Sequence, residues 1–249
     1  MSHWKSAVKA ALRPLVPARL LELRRRQQFE ADQRAARDRP LDEVFTEIYE
    51  KGAWLKTDGI RYHSGPGSEP AVTAGYEDFV VALIERRKNI ATLVDVGCGD
   101  FQVSQRILAR LSRPVRYIGC DIAANVVAYN TETYGKPGQI EFRHGDASRD
   151  NLPSGDIVTV REVFQHLSNS TIHAALTNLR TAFKEAIITE CLFTKPSAPN
   201  LDIVSGYRTR DGLKSGVYLD LPPFNLDVLD RYDCSVNDEE FIRTSCVRL

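Results

Sequence analysis

The 249-residue chain carries 33 Lys+Arg against 33 Asp+Glu, a formal net charge of zero, and 43% hydrophobic residues. That is enough apolar material for one α/β domain with an appendage, and the neutral total gives no field that would draw nucleic acid across the whole surface. Five cysteines, odd in number and without a CxxC pair, point to reduced thiols in a cytoplasmic setting and away from a disulfide framework or zinc site.

No apolar run approaches the roughly 18 residues of a membrane span, and the N-terminus, interrupted by charges and prolines, does not make a signal peptide. The charge is uneven. Residues 1–40 hold ten basic and four acidic residues, against 23 and 29 in the remainder. Beyond Pro14 and Pro17, Ala18 to about Arg37 has helix-forming composition with Arg24-Arg25-Arg26 in its middle. This basic arm reads either as a solvated helix packed on a partner subunit or as a helix resting on anionic lipid or a partner enzyme. Leu41, Val44, Phe45, Ile48 and Tyr49 fall at helical spacing and give a second helix with one buried face. Tyr62 to Pro70, rich in turn formers, is a loop before a helix at roughly 71–88; it serves as a lid over a ligand or as a plain linker. The expected organisation is therefore an arm (1–40), a helix and lid loop (41–70) and a catalytic domain (71–249).

Thr92 to Val96 reads as a buried strand, followed at once by Gly97-Cys98-Gly99 and a helix from Phe101 to about Leu111. A turn without side chains lets a ligand approach the backbone closely. Asp95 stands before the glycines and Gln102 where a dinucleotide fingerprint needs a small residue, which disfavours a pyrophosphate cofactor. Asp121 ends the second strand (115–122), about 20 residues on, where a carboxylate can accept both ribose hydroxyls; the alternative is a cap for the helix at 124–134. A third strand ends in His144-Gly145-Asp146-Ala147. His144 is either a base or a hydrogen-bonded histidine at a sheet edge. The fourth strand, 156–160, runs into Arg161-Glu162-Val163-Phe164-Gln165-His166-Leu167-Ser168. Glu162 and His166, at i and i+4, would point the same way on one helical turn and bracket one acceptor, or His166 merely caps the next helix. Glu190, ending the fifth strand, is expected to face the site. The long stretch 193–214, with Tyr207 and Arg208, and the following Tyr218 suggest acceptor recognition. Two antiparallel strands, 231–236 and 241–247, close the sheet.

D-V-G-C-G (95–99) resembles motif I of the class I S-adenosylmethionine (AdoMet) methyltransferases. The resemblance implies a Rossmann-like α/β fold with a seven-stranded, mostly parallel sheet, and AdoMet as cofactor. It places Asp95, Gly97, Cys98 and Gly99 at the methionine end, Asp121 and Ile122 at the ribose, Asp146 and the Ala147 N–H at the adenine, and Arg161 beside the cofactor. The order Tyr-(x)n-Trp, then Ser64-Gly65-Pro66-Gly67-Ser68, then D-V-G-C-G-D is similar to methyltransferases of bacterial polysaccharide pathways, in which Ser64, Gly65, Gly67 and Ser68 would fold over the methionine carboxylate and sulfonium. R-E-V-F-Q-H-L-S resembles the R-D-x-x-x-H-L-S pattern of small-molecule methyltransferases, including the phosphoethanolamine type, with Glu162 in place of Asp. It implies that Glu162 touches substrate and that His166 belongs to the catalytic apparatus, with His144 or Glu190 helping to orient the acceptor. The whole pattern is most similar to the sugar O-methyltransferases of mycobacterial methylmannose polysaccharide synthesis. That similarity implies transfer to the 1-hydroxyl of a short 3-O-methylated mannoside by a homodimer, with a divalent ion such as Mg as an option and no distinct metal ligand set. A phospho-base or natural-product acceptor, or an AdoMet-binding module without turnover, are the alternatives.

Overall fold

The computed structural model describes residues 18–55 and 59–249. The first 17 residues of the basic arm lie outside the described residues. From Ala18 the arm forms helix α1 (Ala18–Ala36), followed by α2 (Leu41–Lys51). The helical spacing seen in the sequence buries Val44, Phe45, Ile48 and Tyr49, with Asp42 and Glu43 at the positive end of the α2 dipole and Lys51 at the negative end. Gly52, at φ 56°, ends α2 by donating to the Ile48 and Tyr49 carbonyls, a left-handed stop that glycine adopts without a Cβ penalty.

Six further elements alternate: α3 (Pro70–Arg86), β1 (Thr92–Val96), α4 (Gln102–Arg110), β2 (Arg116–Asp121), α5 (Ala124–Tyr134) and β3 (Ile140–His144). Then come β4 (Ile157–Arg161), α6 (Asn169–Ala182), β5 (Glu185–Phe193), β6 (Asp227–Ser235) and β7 (Glu240–Arg248). The seven strands form one sheet in the order β3-β2-β1-β4-β5-β7-β6, parallel except for β7, which runs antiparallel to both β5 and β6. The central strands are apolar on both faces because helices cover both. Val94, Val96, Val158 and Ile188 pack toward α2, α5 and α6, while Leu93, Ile157 and Ile187 pack toward α3 and α4. The chain leaves β1 toward β2 on one side and returns with β4 on the other, so a crevice opens at the carboxyl ends of β1 and β4, the place where open α/β sheets bind ligands. Among the described residues no helix is long and apolar enough to cross a membrane.

Helix α1 does not stand apart from its own chain. Phe29, Asp32, Gln33 and Ala36 lie against residues 204–212, so this face of the arm is covered without a partner subunit. The reading of the arm as packed on a partner subunit, lipid or a partner enzyme did not foresee this contact: the stretch that covers it is irregular and 170 or more residues away in sequence.

Candidate active site

A cavity of about 420 Å³ lies at the carboxyl ends of β1 to β4. Asp95, at its floor, is held by three hydroxyls: Ser104 Oγ (2.6 Å), Tyr117 OH (2.8 Å) and Thr159 Oγ1 (2.8 Å). Those bonds occupy both carboxylate oxygens and tie α4, β2 and β4 to β1. The Gly97 and Cys98 N–H groups donate to the Cys120 carbonyl, which closes the turn onto β2. Gly97 and Gly99 have φ of 74° and 52°. Both border the cavity, but the room their missing Cβ atoms leave is taken by protein: a Cβ on Gly97 would sit 2.2 Å from Val163 Cγ2, and one on Gly99 2.3 Å from Ser64 Oγ. The room beside these glycines, expected to let a ligand approach the backbone, is taken up by the segment after β4 and the loop before α3, which in turn wall the cavity.

Asp121, 7% exposed, accepts from the N–H groups of Gly99 and Ala123 (2.9 Å each). Burial holds its pKa above the ordinary carboxylate range. It is thus both a local turn-former ahead of α5 and a wall of the cavity, since each carboxylate oxygen keeps a further lone pair. Asp146 is engaged in the same way, accepting from Ser148 N–H and Oγ and from Arg149 Nε. Ile122 and Ala147 line the cavity beside these two acids. His144, in register with Asp121, donates through Nε2 to the Ile122 carbonyl at 3.0 Å. It lies three strand spacings from β4, about 14 Å, and the structure does not bring it to Glu162 and His166.

The loop before α3 closes over this floor. Ser64 and Asp100 exchange bonds: the Ser64 N–H donates to Asp100 Oδ2 (2.8 Å) and the Asp100 N–H to Ser64 Oγ (2.9 Å). His63 Nδ1 accepts the Gly65 N–H, so its Nε2 carries the proton and donates to Glu69 Oε1 at 3.0 Å. Arg161 donates to the Gly67 carbonyl and lays its guanidinium over the Tyr76 ring at 5.4 Å. Ser64 to Ser68 all line the cavity. Sequence reasoning passed over Asp100 and His63. The acid directly after the second glycine and the histidine opening a Gly-Ser loop were the signals.

At the end of β4 the backbone turns sharply. Glu162 has φ 58°, a conformation that costs a residue other than glycine about 1–2 kcal/mol, and a single 3-10 turn, Phe164–His166, follows. The expected helical i, i+4 pairing of Glu162 and His166 is absent; the left-handed residue and the turn bring both side chains to the cavity wall instead. The helix cap is Ser168, whose Oγ accepts the Thr171 N–H. Three buried side-chain atoms here have no hydrogen-bond partner: Arg161 Nε, Glu162 Oε1 and His166 Nδ1. Glu162 Oε2 accepts from Gln165 Nε2 at 3.1 Å. The His166 ring stands 5.5 Å from Trp54 and edge-on to Phe45 at 6.1 Å. Burial among these rings lowers its pKa to about 4, and burial raises that of Glu162. At neutral pH the imidazole is therefore uncharged. Phe45, Tyr49 and Trp54 wall this end of the cavity. They were expected only as one face of a helix and the break after it, because helical spacing does not distinguish a core face from a pocket wall.

Two expected acceptor contacts lie elsewhere. Glu190 does not line the cavity: it is buried under the turn, accepting the Phe164 and Gln165 N–H groups at 2.9 Å each. Burial and the neighbouring Glu162 push its pKa up to about 8 against the pull of those two bonds and Arg210. Tyr218 is spent on the Phe193 backbone, donating to its carbonyl at 2.7 Å and accepting its N–H at 3.1 Å. Tyr207 and Arg208 do line the cavity, with Arg208 paired to Asp32 of α1. Among the described residues no group of three or more His, Cys, Asp or Glu is placed to hold a metal ion.

The sequence of residues 94–185 matches a family model described as a methyltransferase domain. That stretch holds the floor of the cavity and the turn after β4. The sheet order and topology are those of the class I methyltransferase fold. The methyltransferase fold is shared with three solved structures at low identity. One is SpnF, described as a (4+2)-cyclase, with a TM-score of 0.59, 16% identity, and 84% of this chain and 97% of that one covered. Another is magnesium protoporphyrin IX methyltransferase (ChlM) from Synechocystis PCC 6803 with bound SAM, at 0.54, 13%, 84% and 97%. The third is the N-methyltransferase NodS from Bradyrhizobium japonicum WM9 in complex with SAH, at 0.53, 11%, 81% and 98%. No curated protein matches the chain. One of these three structures is a cyclase, so the reaction at this cavity has to be argued from its residues.

Proposed function

We propose that this chain transfers the methyl group of S-adenosylmethionine to a hydroxyl of a sugar. The observation that carries the reading is that Arg161, Glu162 and His166, which line the same cavity as Asp121, each hold a buried polar atom without a partner: Nε, Oε1 and Nδ1 respectively. Leaving a buried polar group unpaired costs about 1–3 kcal/mol, so together they describe a partner that both donates and accepts hydrogen bonds. A sugar hydroxyl does both, and Trp54, Phe45 and Tyr49 offer flat apolar surface to its C–H faces.

The cavity fits the cofactor as well as the acceptor. Asp121 would take the ribose hydroxyls, Asp146 and the Ala147 N–H the adenine, and the Gly97–Gly99 turn with the Ser64–Ser68 lid the methionine end. When bound, AdoMet supplies an electrophilic methyl on a sulfonium leaving group. The chain holds the acceptor oxygen in line with that methyl and excludes water. Such positioning accounts for about 7–11 kcal/mol in well-oriented reactions. His166, neutral at working pH, takes the hydroxyl proton on its imidazole, a contribution of about 10²–10⁴ in rate. Glu162 and Arg161 orient the sugar.

Within that class, the motif resemblance favours the 1-hydroxyl of a short 3-O-methylated mannoside, and a homodimeric enzyme. Labelled methyl transfer to a panel of mannosides, amines and phenols, with NMR of the product, tests the reading. Turnover of amines or phenols alone would replace the sugar with another small acceptor, and no transfer to any member would leave a binding module or a different reaction on this fold. Turnover that survives chelation with EDTA would remove the divalent-ion option, and sedimentation velocity reads the dimer.

A further inference from the structure

Helix α1 lines no part of the cavity, yet its side chains hold the segment that does. Asp32 accepts from Arg208 Nε at 2.7 Å. Gln33 brackets Val204, accepting its N–H and donating to its carbonyl. Phe29 lies against Gly212, and Ala36 against Gly206. The same segment is stitched to the turn that carries Glu162 and His166. The Gly206 N–H donates to the His166 carbonyl at 2.9 Å, the Ser168 N–H to Ser205 Oγ at 2.8 Å, and the Asn169 N–H to Asp202 Oδ1 at 2.7 Å. Arg210, 1% exposed, donates to the carbonyls of Leu201, Phe164, Gln165 and Leu167. Residues 201–213 are irregular apart from one 3-10 turn, and within them only the Arg210–Leu201 bond spans more than a few residues. A loop of this kind is ordered by what it is tied to, and here it is tied to α1 on one side and to the catalytic turn on the other.

We infer that Asp32 and Gln33 of α1 are positioning residues for the acceptor: through residues 201–213 they set the cavity wall at Tyr207 and Arg208 and the aim of Glu162 and His166. This rests on the reading that the cavity takes an acceptor beside the cofactor. Both side chains are only part-buried, so Asp32→Ala and Gln33→Ala leave the sheet core intact. Two measurements on the full chain test the inference. Backbone hydrogen exchange is expected to speed up at 204–206 and at 166–169 in both variants, with the 95–101 and 121–123 turns unchanged. In steady-state assays with the best acceptor of the wild-type panel, acceptor KM is expected to rise about fivefold or more, with S-adenosylhomocysteine affinity unchanged and Asp32→Glu restoring much of the loss. Faster exchange confined to α1, an unchanged acceptor KM, or an equal fall in S-adenosylhomocysteine affinity would overturn the assignment. If the wild-type chain methylates no sugar, the proposed function fails by that result, while the exchange pattern still decides whether α1 governs the turn after β4.

Discussion

The two ends of the cavity are built on opposite terms. At the β1 to β3 end, Asp95, Asp121 and Asp146 are each satisfied by neighbouring hydroxyls, backbone N–H groups or an arginine. At the β4 end, Arg161, Glu162 and His166 each keep a buried polar atom without a partner, while a left-handed residue other than glycine stands at both ends, Phe101 at the first and Glu162 at the second. The first end is rigid before any ligand arrives, since its acids double as the bonds that hold the turns together. The second carries unpaired groups that only a ligand or a neighbouring segment can offset. In the proposed function the first is the cofactor end and the second the acceptor end, completed by its substrate.

The sharpest way to break the comparison is at His166. His166→Ala is expected to lower kcat by about 10²–10⁴ with little change in S-adenosylhomocysteine affinity by calorimetry. Near-normal kcat would remove the base from the mechanism. Asp121→Ala should do the converse, weakening S-adenosylhomocysteine binding by about 10–100-fold, as the loss of hydrogen bonds to a charged group predicts, while acceptor KM at saturating cofactor moves little. An equal loss on both substrates would mean that the two ends are not separate.

A pH profile sharpens the contrast without mutation. Because burial keeps His166 neutral down to about pH 4, kcat/KM should stay level as pH falls through 6.5, provided the fold survives. An acidic limb centred near 6.5 would report a solvated histidine and a different geometry. The same depressed pKa works against the fold in acid. Between about pH 6.5 and 4 the unfolded chain takes up a proton at this site that the folded chain refuses, so stability falls across that window, and His166→Asn should reduce the slope of ΔG against pH there. Glu190 has the opposite sign. Its folded pKa of about 8 lies above the ordinary carboxylate value, so its contribution is fully present below about pH 4.5 and is lost as pH rises toward 8. Glu190→Gln should flatten stability against pH over that range, read by denaturant titration, with a kcat change smaller than that of His166→Ala.

Much of this was legible in the sequence. Helical spacing at Leu41 to Tyr49 gave α2 its bounds, and the apolar runs at 92–96 and 156–160 gave the central strands, because burial on both faces demands unbroken β-branched residues. The motif acids fall at strand ends, so their place beside the cavity follows from a parallel sheet alone. Other features were not legible. Glu190 and Tyr218 have the chemistry of a site but are consumed by Phe164, Gln165 and Phe193 backbone groups, and no local pattern records which buried N–H an acid will meet. Gly97 and Gly99 announce a tight turn; that Val163 and Ser64 fill the space beside them depends on how two other loops arrive.

What the chain determines by itself, then, is each short element and the order in which strand ends carry polar residues, since both depend on interactions among residues a few positions apart. Only the tertiary structure decided that α1 braces the loop at 201–213, that this loop grips the turn after β4, and that three buried polar atoms there are left without a partner. Those outcomes rest on contacts across spans such as Asp32 to Arg208 and Phe164 to Arg210. Such contacts are set by the packing of whole layers, and no window of sequence contains them.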